Sequence, residues 1–263
     1  MSSLSTPFVS VVVPIHNEAD RIEDNLAHIA HYLRCTGVSF EVLAIDDGSS
    51  DSSWEALNRV VQVNSSVRLL RHTRNIGKGF SLRDGILGSK GTWVLLVDAD
   101  LELPIELLRT FIEVQSATWA DVVVGSKKHA GSVVVYPLAR RVLSRVYSWV
   151  ISIAFDLPIS DTQVGFKLLR GSLARKIAGY TLVGRNGWDV EMLVAAKLAG
   201  AKMTDAPVTL TFGRGGRGRV TPSTVLEILK ETAGIWFRRY IDGHYLRALG
   251  CPPRMAATTP GIR

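Results

Sequence analysis

The stretch "WVLLVDADLE" (93–102) runs an apolar segment directly into three acids, Asp98, Asp100 and Glu102. Side chains alternate along extended backbone, so these three share one side of the chain. Hard carboxylates side by side, completed by phosphate oxygens and water, make a donor set for Mg²⁺ or Mn²⁺. Taken alone, a DxD reads first as a strand that ends in solvated acids. A phosphatase with a nucleophilic first Asp is a further reading, but that Asp is expected on the first strand, and this one falls on the fourth.

Two more acidic stretches narrow the choice. "PIHNEADR" (14–21) and "IDDGSSDSS" (45–53) each follow a buried apolar run and open a helical pattern. Each therefore sets carboxylates and unpaired backbone N–H groups at the same edge. In the second, Gly48 suits a turn that needs an unusual φ, and Asp51 suits a helix cap. "RNIGKGFS" (74–81) places Lys78 between glycines at a helix start, an arrangement suited to a diphosphate; it does not match GxGxxG.

These residues need elements to hold them. "FVSVVVPI" (8–15), "FEVLAI" (40–45), "VRLLR" (67–71), "WVLLV" (93–97) and "DVVVG" (121–125) read as buried strands. Helical spacing appears between them: Ile22, Leu26, Ile29 and Leu33, then Trp54, Leu57 and Val61, then 78–88, then a helix begun by Pro104. Strands alternating with such helices predict a mostly parallel sheet flanked by helices, with ligands beyond the carboxyl ends of the strands. After about residue 130 helices dominate. One domain over 8–240 is expected, followed by a partly disordered tail over 241–263.

The bulk properties agree with that outline. The chain has 263 residues, 46% of them hydrophobic, and a formal charge of +7, with a pI near 9.6. That balance favours anionic partners. Nucleic acid fits the charge poorly once the strand ends are acidic, and no nucleic-acid-binding motif appears. Cys35 and Cys251 offer neither a bridge framework nor metal-ligand spacing, so a reducing compartment is expected. "MSSLSTPF" reads as no secretory signal. The longest apolar run, 146–155, is shorter than the roughly 20 residues of a spanning helix.

The order PxxNE, DDGSxD, NxGKG and DAD resembles the inverting nucleotide-sugar glycosyltransferases. "GSK" (125–127), "DTQVGFKLLR" (161–170), "GWDVEML" (187–193) and "PVTLTFGRGGRGR" (207–219) look like the polyprenyl-phosphate branch, the dolichyl-phosphate glucosyltransferases and dolichol-phosphate mannose synthases. The DTQ-GFK form is closer to the glucosyl enzymes. The resemblance implies the nucleotide-diphospho-sugar transferase fold and transfer of a hexose to a polyprenyl phosphate, with UDP-glucose as the first choice of donor. GDP-mannose, transfer to a sugar hydroxyl, and a catalytically inactive nucleotide-sugar or phosphate-binding protein are the alternatives. A nucleotidyltransferase would carry a Gly-rich loop with Arg where "PIHNEADR" stands.

Position by position, the resemblance assigns Pro14, Asn17, Glu18 and Asp47 to the nucleoside and Lys78 to the diphosphate. Asp98, Ala99 and Asp100 fall in the donor site, and Asp98, Asp100 and Glu102 would hold Mg²⁺ or Mn²⁺. Gln163 would lie near the sugar or acceptor. Lys127, Arg214, Arg217 and Arg219 would contact phosphate, and Arg141 joins them. Asp46 is expected to support its turn. A hydroxyl acceptor would need a base, for which Asp189 or Glu191 is placed; otherwise Asp189 is an acid favoured by a helix start.

"YPLARRVLSRVYSWVISIAF" (136–155) aligns Leu138, Val142, Val146, Trp149 and Ile153 at helical spacing, with Arg140, Arg141 and Arg145 at its beginning. "IWFRRY" (235–240) again mixes aromatics with Arg. Such segments suit an anionic membrane interface, or a core-facing helix with solvated Arg. The expectation is a peripheral protein on the cytoplasmic face of a membrane.

Overall fold

Val9, Val11, Val12, Val13 and Ile15 are all buried because β1 (Val9–Ile15) lies inside a sheet covered on both faces. The computed structural model describes residues 6–134, 138–210 and 222–250, without the side chains of 134, 138–146 and 222–225. Its first part alternates β1, α1 (Ile22–Thr36), β2 (Phe40–Asp46), α2 (Ser53–Val63), β3 (Val67–Arg71), α3 (Lys78–Gly88), β4 (Trp93–Leu96), α4 (Leu107–Thr118) and β5 (Val122–Ser126). The second part holds β6 (Val133–Val134), α5 (Leu138–Phe155), β7 (Lys167–Arg170), α6 (Gly171–Ala178), α7 (Trp188–Leu198), β8 (Met203–Pro207), β9 (Thr209–Leu210), α8 (Pro222–Tyr240) and α9 (His244–Ala248).

Seven strands form one sheet in the order β3-β2-β1-β4-β7-β5-β8. All neighbours are parallel except β7, which runs antiparallel to both β4 and β5, pairing Leu96 with Lys167 and Val122 with Leu169. Strand positions predicted from sequence fall within about two residues of these; the antiparallel insertion of β7 was not predicted. Leu26, Leu57 and Phe111 of α1, α2 and α4 pack one face of the sheet. Ile86, Ile177 and Leu193 of α3, α6 and α7 pack the other, joined by Phe155 of α5 and Ile235 of α8.

Three local expectations change. Pro104 begins a turn, closed by Leu107 N–H donating to Pro104 O, and α4 starts three residues later than predicted. The residue before α2 is Ser52, while Asp51 accepts from Ser53 N–H and Ala19 N–H and so ties the β1 loop to α2. Within the stretch expected as a tail, Tyr245 of α9 is fully buried and its hydroxyl donates to Glu191 Oε1 at 2.6 Å. Among the described residues no helix is long and apolar enough to cross a membrane.

Candidate active site

The carboxyl ends of β1, β2 and β4 deliver the predicted acids to one edge of the sheet. There a cleft of about 330 Å³ is lined by Pro14, Glu18, Asp47, Lys78, Asp98, Ala99 and Asp100. A volume of that size suits part of a nucleotide-sized ligand. A smaller cleft of about 140 Å³ is lined by Asp98, Asp100, Glu102, Lys127, Gln163 and Gly165. The two clefts meet at Asp98 and Asp100.

Asp98 is held from two sides. Lys78 Nζ lies 2.5 Å from its Oδ1. On the other side Gly165 leaves room for the carboxylate, since a Cβ there would sit 2.0 Å from Asp98 Oδ2. Removal from water would push the Asp98 carboxyl up, but the Lys78 ammonium and, less so, Lys167 outweigh it and hold Asp98 below the usual range. Lys78 is likewise raised, with the charges of Asp98, Asp189 and Asp100 outweighing burial. Burial pushes Asp100 up, and the neighbouring Asp98 charge adds to it, against the hydrogen bond that Glu102 N–H donates to Asp100 Oδ1. Among the described residues no three His, Cys, Asp or Glu side chains gather as a metal-ligand set. Glu102 lines the smaller cleft, and Leu101 at φ +50° breaks the strand alternation that the expectation assumed.

Asp47 lines the larger cleft, Asn17 is not among its lining residues, and both side chains bond to neighbouring loops. Asp47 accepts from Ile76 N–H and Gly77 N–H at 3.0 and 2.9 Å, and His72 Nδ1 lies 2.9 Å from it. Burial works against ionisation, but these donors prevail and lower its pKa. Asn17, at φ +57°, accepts from Ser50 N–H, joining the β1 and β2 loops. Asp46 accepts from Ser49 N–H, supporting its turn as expected.

The two acids proposed as bases are both committed elsewhere. Asp189, on the first turn of α7, takes the fully buried Lys167 ammonium at 2.6 Å, and Lys167 also donates to Val164 O. Glu191 is fully buried and accepts from Leu182 N–H, Val183 N–H, Arg238 and Tyr245. Neither acid lines the clefts. In the smaller cleft, Lys127 Nζ lies 3.7 Å from Asp161 Oδ2. Among the described residues the Gln163 amide nitrogen is buried without a hydrogen-bond partner. Arg141 lies on α5 with its side chain outside the described residues, as Arg214, Arg217 and Arg219 do entirely.

Sequence reasoning missed His16, Asn75, Arg185 and Asn186, which line the larger cleft. The signal for the last two was "GRNG" (184–187), a glycine-flanked cation before a helix, the same pattern that singled out Lys78.

Residues 10–177 match glycosyl transferase family 2. The chain belongs to that family. A dolichyl-phosphate beta-glucosyltransferase of Trichomonas vaginalis is 32% identical over 78% of this chain and 64% of its own length. A dolichyl-phosphate beta-glucosyltransferase of Dictyostelium discoideum is 29% identical over 88% of this chain and 74% of that one. A dolichol-phosphate mannosyltransferase of Pyrococcus furiosus is 26% identical over 85% and 62%. The chain thus spans less than two thirds of the Trichomonas and Pyrococcus proteins. In fold, this family 2 chain is similar to glucosyl-3-phosphoglycerate synthase from Mycobacterium tuberculosis, solved with UDP (TM-score 0.59, 15% identity, 94% of this chain and 81% of that one). It is also similar to mannosyl-3-phosphoglycerate synthase from Rubrobacter xylanophilus (TM-score 0.66, 13% identity, 97% and 79%). The nucleotide-diphospho-sugar transferase fold expected from the motifs is the fold found.

Proposed function

We propose that this chain is an inverting hexosyltransferase that moves a hexose from a nucleotide diphosphate sugar, UDP-glucose first, to a polyprenyl phosphate. The observation that carries the reading is the meeting of two clefts at Asp98 and Asp100. One cleft has the Lys78 cation for a diphosphate, and the other has Lys127 and the unpartnered Gln163 amide for a sugar or acceptor phosphate. Relatives named for dolichyl phosphate support the acceptor class. A fold neighbour solved with Mn²⁺ and UDP-glucose supports the donor class.

The residues fit Mg²⁺ or Mn²⁺. Asp98 and Asp100 are hard oxygen donors, and the absence of a side chain at Gly165 leaves the Asp98 carboxylate its place. Such an ion, when bound, supplies Lewis-acid compensation for a departing diphosphate. The chain's own groups do the remaining work. Lys78, kept charged by Asp98, neutralises the leaving group as its charge grows. Lys127 and Gln163 orient what enters the second cleft. A phosphate monoester has a second pKa of about 6 and is its own nucleophile near neutral pH. It needs no base, which agrees with the commitment of Asp189 and Glu191 to buried partners.

A membrane surface is the proposed place of work. Trp149 and Ile153 of α5 and Trp236 and Tyr240 of α8 line one exposed apolar groove, and Arg239 lies 5.0 Å from the Tyr240 ring. Aromatic and basic side chains together suit an anionic interface. Cys35 is an exposed free thiol, which suits the cytoplasmic side.

The test is incubation of the purified protein with radiolabelled UDP-glucose or GDP-mannose, polyprenyl phosphate and Mg²⁺ or Mn²⁺. Label from UDP-glucose is expected to become lipid-extractable. Extraction of mannose label alone would correct the donor, and extraction of neither would overturn the acceptor class.

A further inference from the structure

Arg185 stands at the end of a loop whose backbone is fixed from three directions. Gly184 O accepts from Gly79 N–H at 2.8 Å, tying the loop to the start of α3. Glu191 Oε2 accepts from Leu182 and Val183 N–H groups, tying it to α7. Gly187 N–H donates to Glu231 Oε2 at 2.7 Å, tying it to α8. The Arg185 side chain then crosses Gly77, where a Cβ would lie 2.9 Å from Arg185 Cγ and 2.2 Å from Gly184 O. Gly77 at φ +108° is thus required both for its own backbone and for this passage. Arg185 lines the same cleft as Lys78, at the N-terminal end of α3.

The charge balance of that cleft makes the position informative. Its lining includes the carboxylates Glu18, Asp47, Asp98 and Asp100 and the cationic side chains Lys78 and Arg185. Lys78 is occupied at 2.5 Å by Asp98. Arg185 Nε lies 3.4 Å from Glu227 Oε1, with both side chains about half exposed (54% and 41%). An exposed pair of this kind contributes little to stability, so it does not explain why so much backbone bonding is spent on placing one arginine. A planar guanidinium matched to two phosphate oxygens does explain it.

We propose that Arg185 binds the diphosphate of the nucleotide donor, with Glu227 holding the guanidinium at the cleft wall until phosphate oxygens take it. The inference rests on the donor reading given above and adds a residue that the motifs did not assign. A donor leaving group then meets cations from two separate elements, Lys78 on α3 and Arg185 on the loop before α7, so its two phosphates are fixed in orientation as well as neutralised.

Calorimetric titration of the whole chain with UDP, GDP and uridine in the presence of Mg²⁺ tests this. For whichever diphosphate the parent protein binds, Arg185→Gln is expected to weaken affinity by about tenfold or more, the scale of one lost charge-assisted contact. Arg185→Lys should recover part of that loss, and uridine affinity should change less than about twofold. Thermal melting of both variants should match the parent, since the loop is held by its backbone. Equal diphosphate affinity in Arg185→Gln and parent, or an equal loss for uridine, overturns the assignment of Arg185 alone. A change confined to the polyprenyl phosphate dependence of transfer overturns it too, moving Arg185 to the acceptor. No binding of either diphosphate by the parent would overturn the donor reading itself, and Arg185 with it.

Discussion

Lys78 Nζ and Asp98 Oδ1 lie 2.5 Å apart, so the lysine expected at the diphosphate is bonded to a carboxylate expected at the metal. A metal ion held by Asp98 would compete with Lys78 for this carboxylate. Lys78→Gln should therefore strengthen binding of Mn²⁺ alone, by about tenfold, because a unit charge a few Å away is worth on the order of 4 kcal/mol at an effective dielectric of 20 before screening. Spin-resonance titration of Mn²⁺ without nucleotide reads this directly. Weaker or unchanged Mn²⁺ binding would show that Lys78 does not oppose the ion.

Replacing Asp189 should act on stability. Its partner Lys167 is fully buried, and Asp189→Asn leaves that ammonium without its counter-charge. A loss of about 3–5 kcal/mol is expected, seen as a lowered melting temperature. The double variant Lys167→Met with Asp189→Leu should regain much of it. A single variant that melts like the parent yet transfers no sugar would restore Asp189 as a base.

Asp47 sets an acid limit on the segment between β3 and α3. Its pKa is lowered in the folded chain because His72 and the Ile76 and Gly77 N–H groups together outweigh burial. A lowered carboxylate contributes stability above its unfolded value of about 3.9, and loses that contribution as pH falls through the lower folded value. Asp47→Asn should thus be less stable than the parent at pH 7, and the gap should close in the acid range below about 3.9. Melting curves from pH 2.5 to 7 check it; a gap independent of pH would assign the loss to shape instead of charge.

Trp149 and Trp236 are exposed to 66% and 44% on one groove. If that groove docks on lipid, Trp149→Ser and Trp236→Ser should each lower partition to anionic vesicles by about tenfold, in line with about 1.5–3 kcal/mol for a buried large apolar side chain. Raised salt should weaken the parent's partition further by screening its basic groups. Sedimentation with vesicles measures both, and binding indifferent to the two tryptophans would place the contact elsewhere.

The parallel half of the sheet was legible because its strands are apolar-rich runs closed by polar turns, and the turns after β1, β2 and β4 carry acids within a few residues of the strand end. Asp98 and Asp100 were found that way, as was Lys78 by its flanking glycines. β7 was not, because "FKLLR" has no local mark of its antiparallel sense, which is decided by pairing with Trp93–Leu96 some seventy positions earlier. A separation of 22 residues likewise hid the Lys167–Asp189 bond, whose members look from sequence like a solvated lysine and a helix-start acid. Glu191 read as a candidate base for a similar reason. Its four donors come from the loop before α7 and from α8 and α9, and nothing near it in sequence announces Arg238 or Tyr245.

The place of β7 between β4 and β5 also imposes an order on synthesis. β3, β2, β1 and β4 pair among themselves, whereas β5 pairs only with β7 and β8. A nascent chain that has reached residue 130 can assemble the first four strands, but it carries β4 with an open edge and β5 with no partner. Unpaired edges of this kind recruit other chains. The half that carries Asp47, Lys78 and Asp98 can therefore assemble before the half that carries Gln163 has been translated, and the seam beside Asp98 is sealed only when Gly165 and Lys167 emerge to fill the gap between strands.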